Sequence, residues 1–214
     1  MNLIQPLNPS YEQVRCASEG NLQGLINANR EVNKSLLFHA LKRGNIEIVD
    51  YLLKQDCGEI NDNYLCYSAE SGNVAVFDKL VKMGLNIHSN RELPLSTAVS
   101  LGHTALVQYL LDAGANVNLT SGYGRNDPVI YYAILANHAD IVELLLKYGA
   151  DPNCRLNYET NGTILTTATN PKRYSERISR MLLDYGADPT YIHPKAPDEI
   201  KTYHPLNPRI VFLS

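Results

Sequence analysis

The side chains of this sequence that could do covalent or metal chemistry are few and poorly spaced for it. Four cysteines, Cys16, Cys57, Cys66 and Cys154, form no CxxC pair, so neither a thiolate zinc site nor a dithiol redox couple is written here. Unpaired thiols, two of them at inward-pointing positions, fit a reducing compartment, and a cytoplasmic location is expected. Of the histidines, His39 and His88 have no Cys, Asp or Glu at metal-ligand spacing. His193 and His204, near the C-terminus, would need Cys154 or Asp198 to complete a nucleophile, base and orienting group, and their spacing defines no pocket for that. The phosphate-binding patterns GxGxxG and GxxxxGK[ST], the metalloprotease HExxH and the GxSxG elbow are all missing. GYGRN, at Gly122 to Asn126, is too short for a phosphate loop. The expectation is no catalytic residue, no metal and no cofactor.

What remains is the chemistry of contact. The chain has 14 tyrosines and no tryptophan, and tyrosine joins a wide apolar ring to a polar tip. Tyr123 and Tyr158 lie in polar linkers beside Arg125, Asn126 and Arg155, whereas Tyr131 and Tyr132 divide between core and contact. Lys42, Arg43, Glu70 and Leu101 stand at the ends of apolar runs, and Arg91 stands in a short linker. These ten residues other than Tyr131 and Tyr132 are the expected partner-binding set. Lys172, Arg173, Arg177 and Arg180 form a basic run that could receive an anion, but Glu176 offsets it, and a solvated helix face is the plainer reading.

The elements that must position these residues repeat. Leu93 to Asn118 reads LPLSTAVSLGHTALVQYLLDAGANVN, two apolar helical runs back to back. The first has Pro94 in its first turn and ends at Gly102. The second carries Leu106, Val107, Leu110 and Leu111 at helical spacing and ends at Gly114. This stretch resembles one ankyrin repeat, with Leu93 to Ala98 in place of the usual TPLHxA. The plan recurs as SLLFHA, Gly44 and IEIVDYLL, as NYLCYS, Gly72 and VAVFDKLV, as DPVIYYA and DIVELLL, and as TILTTA and SERISRMLLDYGAD. At the inter-helix turn of the fifth copy Asn137 replaces glycine, being the next most tolerant residue at positive φ. In the sixth, Asn170 and Pro171 read as N-cap and first turn of the second helix, which then carries the basic run. Gly84 and Gly114 are 30 residues apart, but Gly114 and Gly149 are 35 and Gly149 and Gly186 are 37. The extra residues fall in linkers long enough for protruding β-hairpins.

The resemblance implies an all-α ankyrin-repeat solenoid of about six helix-turn-helix units, joined by short turns or β-hairpins. The expected divisions are an irregular leader over 1–10, units at 11–33, 34–61, 62–91, 92–120, 126–153 and 162–190, and a proline-containing tail, 191–214, that caps the array. The first unit, with its shortened second helix, reads as the amino-terminal cap. The family implies a module that binds a protein partner through its concave face and hairpins, monomeric on its own. The short repeats resemble those of giant viruses and intracellular bacteria, which implies an effector or adaptor, in the host cytosol if exported. The rivals are an enzyme whose site the tail completes, and a permanent inhibitor or structural subunit. Asn153, in GADPN, resembles the sites of asparaginyl hydroxylation in ankyrin domains; otherwise it is a turn residue. A net charge of −3 and pI near 6.1 argue against a nucleic-acid partner. No run approaches the ~18 apolar residues of a spanning helix, and the amino terminus lacks a signal-peptide layout.

Overall fold

Among the described residues first and second helices alternate along the chain, most pairs closed by a tight turn. The structure, a computed structural model, describes residues 9–28, 34–55, 59–88, 93–120, 127–156 and 162–204. The chain forms two compact units, Met1–Asn90 and Arg91–Ser214.

In the first unit the pairs are α1 (Pro9–Glu19) with α2 (Leu22–Asn27), α3 (Lys34–Arg43) with α4 (Ile46–Lys54), and α5 (Asn63–Ser71) with α6 (Val74–Lys82). Helix α1 begins at Pro9; proline is suited to a first helical turn, where its missing N–H is not needed. The helices stop where the sequence changes conformation. Gly44 and Gly72 take the left-handed region after α3 and α5, and Asn45 and Asn73 then cap α4 and α6 through their side-chain oxygens. Asn73 also joins neighbouring turns, its Nδ2 donating to the Gly44 carbonyl at 2.8 Å. Ile48, Val49 and Leu52 on α4, and Val76, Phe77 and Leu80 on α6, are fully buried. Leu53 and Val81, expected in the same stripes, are only half-buried. The core-facing strip is thus one residue narrower than the pattern predicts, as a face of about 100° allows. Helix α3 packs between α1 and α5.

The second unit repeats the plan with α7 (Leu93–Leu101) and α8 (Thr104–Asp112), α9 (Val129–Leu135) and α10 (Ala139–Lys147), and α11 (Ile164–Ala168) and α12 (Glu176–Asp184). Asn137 takes φ +57° at the α9–α10 turn, as the sequence predicts. Single antiparallel bridges, Thr120 with Pro128 and Arg155 with Thr163, close the two long linkers at their bases. Asparagine clips run beside them. Asn118 donates to the Gly149 carbonyl and accepts from the Asp151 amide, and Asn153 does the same with Gly186 and Asp188.

Two features of the last pair differ from expectation or extend it. Helix α12 begins at Glu176 with Ser175 as N-cap, not at Pro171. Asn170 instead accepts the Lys172 amide in a local turn, so Lys172 and Arg173 lie before the helix rather than on it. Beyond α12, a 3-10 turn (Pro189–Tyr191) and a short helix α13 (Asp198–Lys201) pack against α11 and α12 respectively. Thr166 donates to the Tyr191 carbonyl at 2.7 Å, the His193 amide to Thr169 Oγ1 at 2.9 Å, and Tyr203 Oη to Asp184 at 2.8 Å. Ala196 and Ile200 of this segment are buried.

Candidate functional site

Among the described residues, a cluster of contact-making side chains lies in the first unit, along α3 and α5. Helical spacing puts Phe38, His39, Lys42 and Arg43 on one side of α3, since residues one turn apart share a face. Tyr67 and Glu70 do the same on α5, with Tyr64 buried beside them. Phe38 meets Tyr67 edge to face at 4.6 Å between ring centres, and Tyr64 meets Tyr67 in the same way at 5.9 Å. The Lys42 ammonium sits 5.1 Å from the centre of the Phe38 ring and 2.7 Å from the Glu70 carboxylate. Phe38, His39, Lys42, Arg43 and Glu70 line an open cleft of about 350 Å³. Edge-to-face rings hold one another's orientation, and the lysine is fixed from two sides, so this surface is set before anything meets it. Behind it, burial pushes the Cys66 thiol up to about 11, and the Glu70 carboxylate adds to that rise. A thiol that stays protonated is a packing group and not a nucleophile.

Of the residues expected to bind a partner, this cleft brings together Lys42, Arg43 and Glu70. Leu101 is exposed at the end of α7, 51% accessible. Arg155 is exposed in the second unit, where its Nη2 donates to Tyr191 Oη at 3.3 Å. Tyr123, Arg125, Asn126, Tyr158 and Arg91 lie outside the described residues. The rings of Tyr131 and Tyr132 are half-buried and meet at 5.6 Å. Asn153 is exposed, with its amide engaged on both sides by the clip to Gly186 and Asp188. Phe38 and Tyr67 were not singled out in the sequence. Their signal was there, at adjacent positions of the repeat in consecutive copies, but it shows only when the copies are laid over one another.

In the second unit several charges are paired with one another. Arg177 bridges Asp140 at 2.6 Å and Glu143 at 3.5 Å, and Arg180 meets Glu176 at 2.5 Å. A second cleft, about 290 Å³, lies over the turns at Gly102 and Asn137, with Arg177 at its rim. Lys147 and Arg177 hold the Glu143 carboxyl below its ordinary range, Lys147 more strongly. Among the described residues no three His, Cys, Asp or Glu side chains are grouped as metal ligands, and no helix is long and apolar enough to cross a membrane. Cys16, Cys66 and Cys154 are free thiols.

The family profile described as "Ankyrin repeats (3 copies)" matches residues 14–91, 37–121, 65–156 and 95–193, overlapping windows that together span most of the chain. The chain belongs to the ankyrin repeat family. The crystal structure of the human ASB11 ankyrin repeat domain is similar to it with a TM-score of 0.68, covering 88% of this chain and 94% of that one at 20% identity. At that identity the likeness is one of fold. No curated protein matches the chain. Ankyrin repeats are generally protein–protein interaction modules and typically carry no catalytic centre, because each repeat touches only its neighbours and closes no pocket. The α3–α5 cluster of this ankyrin protein has that character: aromatic rings, a fixed ion pair and an exposed arginine on rigid helices.

Proposed function

We propose that this ankyrin repeat protein holds a protein partner against the first-helix face of its amino-terminal unit, acting as a cytoplasmic adaptor without chemistry of its own. The observation that supports this is the Phe38, Tyr67, Lys42, Arg43 and Glu70 cluster, an aromatic centre with charged edges. Binding energy at protein interfaces concentrates in such aromatic and arginine anchors. The free thiols fit the compartment. Tyr123, Arg125, Asn126, Tyr158, Arg91, Arg155 and Leu101 form the wider contact set of this reading. The six repeats are its scaffold, with residues 191–214 closing the last one.

The test is photo-crosslinking in cell extract with p-benzoylphenylalanine placed at His39 or, as a control, at Glu47, which is exposed on α4. A discrete protein adduct from position 39 and none from position 47 is expected. Adducts from position 47 alone would move the docking face to the second helices.

A further inference from the structure

The chemistry of the α3–α5 cleft specifies the partner more narrowly than "a protein", on the condition that the docking reading above holds. We infer that the cleft takes an acidic and apolar segment of the partner: an Asp or Glu carboxylate on the Arg43 guanidinium, with a neighbouring apolar side chain against the Phe38 ring, which Tyr67 holds in place from its edge.

The charges are unequal in what they have left to offer. Lys42 and Glu70 neutralise one another at 2.7 Å, and Lys42 also lies over Phe38. Arg43 lines the same cleft, is exposed, and has no ion pair among the described residues. An exposed guanidinium beside an apolar wall is the strongest unsatisfied donor group here, and its planar fork matches a carboxylate with two parallel hydrogen bonds. Glu70, which also lines the cleft, repels a second anion. That leaves Arg43 for the segment's one acid and the Phe38 ring for its apolar group.

The same arrangement disfavours a phosphorylated segment. A phosphate near pH 7 carries close to two charges and calls for a cluster of arginines. The cleft supplies a single arginine without an ion pair, and Glu70 forms part of its wall. The cleft's open shape and rigid aromatic floor suit a short extended stretch that brings one ion and one apolar side chain to preset positions, which lowers the ordering cost of binding.

The experiment is selection from a random peptide library displayed on phage, using the full chain as bait and Arg43→Glu and Arg43→Lys as comparison baits. Selected peptides are then synthesised and crosslinked through p-benzoylphenylalanine at position 39. Expected are peptides with Asp or Glu next to an apolar residue. Their affinity should fall by at least about tenfold with Arg43→Glu, change much less with Arg43→Lys, and weaken in high salt. Arg43 is exposed, so neither variant disturbs the fold, and circular dichroism should confirm it. Peptides that crosslink at position 39 but are neutral or basic, or that bind Arg43→Glu equally well, would overturn the acidic assignment while leaving the docking face standing. Peptides that never crosslink at position 39, or no enrichment at all, would overturn both.

Discussion

At Gly102 the backbone and a neighbouring ring make separate demands on one atom. Its φ is +81°, and a Cβ there would lie 2.8 Å from His138 Cε1. Gly114 has φ +87° with open space around the same Cβ. Alanine at Gly114 should therefore cost only the left-handed penalty of about 1–2 kcal/mol. Alanine at Gly102 should cost roughly 1 kcal/mol more, and His138→Ala added to it should recover part of that difference in urea denaturation. Equal costs at the two glycines would mean the ring moves aside freely. A second prediction concerns Cys154, whose thiol burial pushes up to about 12 from an ordinary 9.0, with Asp151 adding to the rise. The folded state then keeps a proton that the unfolded state loses. The stability it contributes is complete below pH 9 and falls as the pH climbs toward 12. Tyr148, Tyr174 and Tyr203 are raised too, so the alkaline decline should persist in Cys154→Ala but with a shallower slope between pH 9 and 11. Thiol-specific alkylation of Cys66 and Cys154 at pH 8 should be slow until the chain is unfolded.

The second helices were the most legible elements, because four apolar residues in a nine-residue run leave little choice of face. Leu110 and Leu145 are fully buried, as their equivalent positions predict. Leu110→Ala should cost on the order of 2–5 kcal/mol in chemical denaturation; a loss below about 1 kcal/mol would contradict the packing seen here. The start of α12 was less legible for a physical reason. TNPKRYSERI holds two good capping pairs, Asn170 with Pro171 and Ser175 with Glu176, and local propensity cannot choose between them. Tertiary contact does: Ser179 Oγ donates to the Ala168 carbonyl at 3.1 Å in the core, a register that the later start satisfies. Asparagine clips were also hidden, since Asn118 and Asn153 look like ordinary turn residues until the next repeat arrives. Asn153→Ala removes two hydrogen bonds to that neighbour and should cost about 1–2 kcal/mol. Asn153→Asp keeps the acceptor and should cost less, and thermal melts of the two variants test that order.

For the molecule as a whole, periodicity disclosed the fold but not which surface is best prepared for contact. Phe38 and Tyr67 are 29 positions apart and meet only because consecutive repeats stack, so their pairing belongs to no single segment. The end of the second unit makes a related point. Helix α12 has Ile178, Leu182 and Leu183 buried, and the 3-10 turn and α13 that follow lie against α11 and α12. Ending the chain after residue 190 should lower the melting temperature clearly, by exposing apolar surface and freeing Thr166 and Asp184; an unchanged melt would leave the segment no role in stability. The two bridges, Thr120 with Pro128 and Arg155 with Thr163, bear on how such a protein can be altered. Each pins the base of a linker, so the repeats on either side are registered by the bridge and the clip rather than by linker length. Doubling the length between two pinned ends adds only about 0.6 kcal/mol of closure entropy. Residues inserted on the linker side of the Thr120–Pro128 bridge should therefore leave the melting temperature of the helices nearly unchanged, whatever they do to contacts made by Tyr123, Arg125 and Asn126.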